Sequence, residues 1–206
     1  MKWNITLSSV IMTVVLVAQP ALGATPNCVV PTSNMVSWWT GDVDESDLYG
    51  VNNPSAVNAV SIVPAEVSNG FLFGTEGYMD IPFSSSLANE EFTLAAWVRP
   101  DGPGPNNDQF GSVITGQAID NNDASVELTW RATDNRFLFI FGNIGSEIIV
   151  SNDTFPVGTF YFVTATYDGT TFKLYVNGIL EGSFAEKKRI AYSSRTWEIG
   201  STDATF

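Results

Sequence analysis

The sequence predicts an all-β fold in which two antiparallel sheets face each other. Three observations carry this. Beyond its N-terminal apolar segment, short apolar runs alternate with clusters of Gly, Asn, Asp, Pro and Ser, the spacing of sandwiches and barrels. No stretch sustains the 3.6-residue period of an amphipathic helix. Asn177-Gly178, set between two β-rich runs, accepts the positive φ that a tight hairpin demands.

The elements follow in order. Asn69 to Phe73 and Tyr78 to Ile81 read as strands on either side of a Gly74-Thr75-Glu76-Gly77 turn. Pro82 to Leu87 has room for one short turn of helix at most. Phe92 to Arg99 (FTLAAWVR) is a strand ended by Pro100, because proline cannot donate to a ladder. Ser112 to Gly116 follows a loose loop, Asp101 to Gln109, rich in Pro, Gly and Asn. Ser125 to Arg131 and Arg136 to Phe141 are joined by the compact turn Ala132-Thr133-Asp134-Asn135, whose residue types favour reversal. Glu147 to Ser151 is a further short strand. Phe160 to Tyr167, Phe172 to Val176 and Ile179 to Phe184 form a meander, turned at Asp168-Gly169-Thr170-Thr171 and at Asn177-Gly178. Phe71, Phe73, Phe92, Trp97, Phe137, Phe139, Phe141, Phe160, Phe162, Phe172 and Tyr175 lie in these runs and are expected to fill the space between the sheets.

Residues 1–24 read as an address. Lys2 gives a positive start, Val10 to Ala18 is an apolar run, and Gln19-Pro20 precedes small residues ending at Ala24. This is the three-part pattern of a secretory signal peptide, with cleavage expected after Ala24 and Gly23 as the second choice. The run is too short for a stable bilayer-spanning helix. The mature chain is therefore expected outside the cell or in the periplasm, with 25–34 as a linker and no further membrane span. Cys28 is the single cysteine. It is free, paired with another chain, or partnered beyond Phe206.

The formal charge is −13 with 9 basic residues, which excludes nucleic acid as a partner, since phosphate contacts need clustered Lys and Arg. The chain has no histidine, so the usual general base and the commonest zinc ligand are missing. Catalysis would rest on carboxylates, and a glycosidase needs two of them facing one bond. No Glu-x-Asp-x-x-Glu run exists; Glu127 and Glu147 stand as single acids, and Glu90-Glu91 point to opposite faces if extended. The reading is not an enzyme.

Several motifs recur together. Ser37-Trp38-Trp39-Thr40-Gly41-Asp42 opens the domain, followed by Asp47-Leu48-Tyr49-Gly50 and Asn52-Asn53. Gly70-Phe71-Leu72-Phe73, Gly77 to Pro82 and Phe92 to Pro100 come next, then Tyr167-Asp168-Gly169, Leu174 to Gly178 and Glu198-Ile199-Gly200. This set resembles the bacterial laminin-G-like jelly-roll domains of the concanavalin A-like lectin/glucanase superfamily. The resemblance implies a two-sheet antiparallel jelly-roll sandwich over 35–206. It implies a non-catalytic module recognising glycans or extracellular proteins, with a fragment or accessory domain of a larger carbohydrate-active enzyme as the alternative. Relatives continue past the equivalent of Phe206 with a strand that returns beside the N-terminal strand, so the resemblance also implies a C-terminally incomplete domain with an unpaired edge. A variant domain that closes differently is the other reading.

Two site expectations remain. Asp42, Asp44, Glu45 and Asp47, with Asn52 and Asn53 just after, lie close together in a Gly-bounded loop, and hard cations want clustered oxygens. The resemblance implies a structural Ca2+ on Asp47, and Asp42 and Asn53 complete the candidate set; the alternative is an acidic turn with local Asx hydrogen bonds. Asp120-Asn121-Asn122-Asp123 is a second, weaker acidic loop. Sugar binding needs exposed aromatic rings, and Trp130 and Trp39, each at a strand end or beside a turn, are the candidates, with Phe110 behind them.

Overall fold

The computed structural model describes residues 33–103, 112–118, 124–141 and 147–200. The signal segment 1–24, Cys28, Phe110 and the Asp120–Asp123 loop lie outside the described residues. From Asn34 onward the chain belongs to one compact unit.

Eleven strands occur among the described residues: β1 (Ala56–Pro64), β2 (Asn69–Ile81), β3 (Phe92–Val98), β4 (Ser112–Ala118), β5 (Ala124–Arg131), β6 (Arg136–Phe141), β7 (Glu147–Val150), β8 (Tyr161–Tyr167), β9 (Thr171–Val176), β10 (Ile179–Ala185) and β11 (Trp197–Ile199). They build two antiparallel sheets. The larger runs β1-β2-β11-β4-β5-β6-β7 and the smaller β10-β9-β8-β3. The only helical piece among these residues is a single 3-10 turn at Ser85–Leu87, capped by the Ser84 hydroxyl. No helix among the described residues is long and apolar enough to cross a membrane.

Turn chemistry sets the register. Asp168 accepts the Thr170 hydroxyl and the N–H groups of Thr170 and Thr171, which holds its carboxyl down at about 2. Asn177 and Gly178 both take positive φ, as the hairpin into β10 requires. The Ala132–Asn135 turn is clamped by Arg131, whose guanidinium makes a two-pronged contact with Asp134 at 2.8 and 2.6 Å.

One predicted turn is not a turn. Residues 69–81 form a single strand, and Gly74–Gly77 leaves the ladder as a bulge. Asn58 pairs with Tyr78 and Val60 with Phe73, so four residues of β2 oppose Ala59 alone. A Cβ on Gly77 would stand 2.7 Å from the Gly74 nitrogen and 2.9 Å from the Ala59 carbonyl oxygen, so the bulge needs glycine there. The partner strand β1 was not foreseen, because its sequence AVNAVSIVP mixes polar residues into an irregular alternation.

The core lies between the sheets. Val126, Leu128 and Trp130 of β5, Phe137, Phe139 and Phe141 of β6, and Val163, Ala165, Phe172 and Leu174 of the smaller sheet are buried together. Phe172 is sandwiched face to face by Phe141 (3.6 Å, 7°) and Tyr167 (3.9 Å, 9°). The link from β10 to β11 is pinned by buried Gln117, whose amide donates to the carbonyls of Ser193 and Arg195 while its oxygen accepts the Ser193 N–H. β3 is an edge strand among the described residues. Its inward side chains Phe92, Leu94, Ala96 and Val98 are only half-buried, as an edge with one neighbour dictates.

Candidate functional site

The acidic loop is organised by Asp47. Its backbone forms an isolated bridge with Trp39, and its side chain is 3% exposed. Oδ1 accepts the N–H groups of Trp38 (2.8 Å) and Tyr49 (3.1 Å). Oδ2 accepts those of Val51 (3.3 Å) and Asn52 (3.0 Å). Burial alone would raise its pKa, but the four N–H bonds outweigh it and the net position is below the ordinary 3.8. Asn53 turns its side-chain oxygen to the Asp47 N–H, and Asp42 points the other way, accepting the Asn69 N–H. This donor set does not fit the expected calcium site. The lone pairs an ion would need are directed at amide hydrogens. Melting in calcium against melting in a chelator is expected to give the same Tm; a rise with calcium would restore the ion, since a ligand of the native state must stabilise it.

Of the two candidate tryptophans, Trp130 lies in the core and Trp39 is half-buried beside it. Trp130 is 2% exposed and its indole donates to the Phe155 carbonyl. Inward parity along β5, shared with Val126 and Leu128, places it in the core. Trp39 is half-buried against that core and donates to the Asn52 carbonyl. A polar handle satisfied in this way holds each ring in the fold.

Exposed rings are found elsewhere. In β3, Thr93, Ala95 and Trp97 face outward, and in β8, Phe162, Thr164 and Thr166 do. Trp97 sits directly opposite Phe162. The two rings lie 5.3 Å apart at 49° and are 45% and 38% exposed. One pair further along the strands, Ala95, Thr164, Tyr175 and Leu180 form a row across all four strands of the smaller sheet. The outer face of this sheet is thus an aromatic and apolar platform with threonine hydroxyls beside it. Trp97 and Phe162 were expected in the core, whereas the period-2 parity of FTLAAWVR and YFVTATY separates them from the inward set.

The larger sheet carries a second feature that no linear motif announces. Asp80 of β2 pairs directly with Glu198 of β11, Glu198 with Gly116 of β4, and Gly116 with Glu127 of β5. Three acids from three distant segments therefore share one row on the outer face. Glu127 leans over Gly116, where a Cβ would meet its Cγ at 3.1 Å. Burial pushes the Asp80 carboxyl above its usual range. Asp80 and Glu198 are directly opposed, with Cβ atoms about 5 Å apart in such a pair, while Gly116 stands between Glu198 and Glu127.

A family model described as the concanavalin A-like lectin/glucanases superfamily matches residues 73–205. No curated protein sequence matches the chain. Among solved structures, domain 4 of an extracellular GH43 arabinanase from Geobacillus stearothermophilus, in complex with arabinotriose, is 14% identical with a TM-score of 0.66, covering 78% of this chain and 80% of that one. Botulinum neurotoxin type C, whose cell entry depends on two ganglioside molecules, is 17% identical (TM-score 0.55), covering 77% of this chain and 40% of the other. The Trypanosoma rangeli sialidase, solved as a covalent intermediate with 2,3-difluorosialic acid, is 19% identical (TM-score 0.61), covering 84% of this chain and 28% of that one. The chain thus spans most of the arabinanase domain and less than half of the other two. At these identities the likeness is one of fold.

Proposed function

The chain belongs to the concanavalin A-like lectin/glucanases superfamily, and from that premise we propose that it is an exported, non-catalytic module that binds neutral glycans on the outer face of its smaller sheet. The observation that carries this is the outward Trp97–Phe162 pair with Tyr175 and Leu180 beside it. A contiguous exposed apolar patch marks an interaction surface. Rings flanked by hydroxyls suit a sugar, which offers an apolar face and a polar edge. Likeness in fold to the arabinotriose-bound domain supports the class of ligand. Charge selects within it: with a net charge of −13, an anionic sugar is repelled. Lys173, on the same face, is already engaged by Asp168 at 3.6 Å.

The test is calorimetric titration with neutral oligosaccharides. Trp97→Ala is expected to weaken binding at least tenfold, about 1.4 kcal/mol, with a fall in Tm of only about 3 °C, because the ring is nearly half exposed and the fold stays intact. Equal affinity of the variant, or no binding of any neutral glycan by the wild type, overturns the reading. Export has its own readout: N-terminal sequencing of protein recovered outside the cytoplasm is expected to begin at Thr25.

A second reading is favoured by one observation, the Asp80–Glu198–Glu127 row. If it hydrolysed glycosidic bonds, purified protein would release reducing ends and Glu198→Gln would abolish the release. The expected result is no turnover by either protein.

A further inference from the structure

A groove of about 430 Å3 lies between β7 and β10. These are the last strands of the two sheets, so the groove runs along the seam where the edges of the two layers meet. Ile148, Ile149 and Phe184 line it with apolar surface, and Asn152 and Ser183 add polar groups. Leu180 lines it too, and Leu180 is also the last member of the platform row, opposite Tyr175. The two surfaces therefore meet at one side chain.

The groove is held by specific backbone features. Between Leu180 and Gly182 the register with β9 shifts, leaving Glu181 as a bulge. Its side chain is 3% exposed and Oε2 accepts the Asp153 N–H at 2.9 Å. Its carbonyl accepts the Asn152 N–H at 3.1 Å. These bonds tie β10 to the chain leaving β7. A Cβ on Gly182 would stand 2.5 Å from Ile149 Cγ2, so glycine is what lets the two edges approach this closely. The Asn152 amide and Ser183 hydroxyl have no partner among the described residues and remain available to a ligand.

We propose that this groove continues the platform, and that the protein binds an internal stretch of a linear neutral glycan longer than the platform alone can hold. The inference rests on the glycan reading above. From β3 to β10 the platform crosses three inter-strand spacings, about 14 Å. A chain following the row past Leu180 enters the groove, where Ile148 and Phe184 meet ring faces and Asn152 and Ser183 meet hydroxyls. Glu147 precedes Ile148 and Glu186 follows Phe184 by two residues. Both carboxylates lie within 4 Å of Lys188 (3.9 and 3.8 Å), leaving a net negative charge near the groove that disfavours anionic sugars.

Titration of arabino-oligosaccharides and cello-oligosaccharides of two to six units tests this. In the better-bound series, wild-type Kd is expected to fall at least tenfold between the trimer and the hexamer. In the double variant Ile148→Ser/Asn152→Ala that gain is lost, while trimer affinity stays at the wild-type value and Tm confirms folding. Trp97→Ala weakens every length. Wild-type affinity independent of length, or a double variant that keeps the gain, overturns the groove and leaves the platform standing. Failure of the wild type to bind any member of either series overturns both.

Discussion

Asp47→Asn is expected to destabilise the domain by about 3 kcal/mol, a fall in Tm of about 10 °C for a domain of this size. The substitution keeps the shape of the side chain and changes its hydrogen-bonding sense. One carboxylate oxygen faces the N–H groups of Trp38 and Tyr49, the other those of Val51 and Asn52. An asparagine presents an NH2 to one of these pairs, donor against donor, in a site that is 3% exposed. Two N–H groups in this part-buried loop lose their acceptor, and each such loss costs about 1–2 kcal/mol, the lower part of the range for a fully buried group.

The same residue gives a pH dependence with a fixed sign. The folded carboxyl lies below its ordinary 3.8, so the native state binds the proton less readily than the unfolded chain does. The stability this contributes is fully present above the unfolded pKa, near pH 4, and is lost as the pH falls through the folded value. Acid unfolding followed from pH 6 downward is expected to be less steep in Asp47→Asn than in the wild type. Equal stability of the two proteins at pH 7 would show that the loop does not depend on this carboxylate.

How much of this was legible follows from what the chain encodes locally. The meander β8-β9-β10 could be read because Asp168-Gly169 and Asn177-Gly178 carry turn chemistry in adjacent residues. β6 was bounded to the residue, as Arg136–Phe141, because the Arg131–Asp134 clamp closes a turn four residues long. β1 escaped because its pairing is settled by a bulge in its partner, which Ala59, with φ of 48°, accommodates. The site divides along the same line. Trp97 and Phe162 were within reach of parity and were misassigned by treating every aromatic as core. Asp80, Glu127 and Glu198 had no local signal, since strand order alone brings β2, β5 and β11 close. Asp47 was found from its sequence through the clustered acids around it, while the folding of the loop's own amides onto its carboxylate had no local signal.

Phe172→Ala is expected to cost about 4 kcal/mol, within the range for removing a buried aromatic. Phe172 is fully buried, and its ring lies between Phe141 of the larger sheet and Tyr167 of its own, so the stack joins the two layers. Tyr167 cannot follow into the cavity, because its hydroxyl donates to the Lys188 carbonyl at 2.7 Å and accepts the Lys188 N–H at 2.8 Å. The void therefore persists, and the penalty for lost contacts adds to that of transfer. Urea unfolding should show a lower midpoint with an unchanged slope. Phe184 supplies the contrast, being 39% exposed and 5.9 Å from Phe141; its truncation is expected to cost about 1 kcal/mol. Phe184 stands opposite Phe172 in the β10–β9 register and forms one wall of the groove, so loosening the stack also loosens that wall. Phe172→Ala should then lose the affinity gained with longer oligosaccharides while Trp97 continues to bind the short ones. A loss below about 1.5 kcal/mol would mean that the cavity collapses, and that the layers are held together elsewhere.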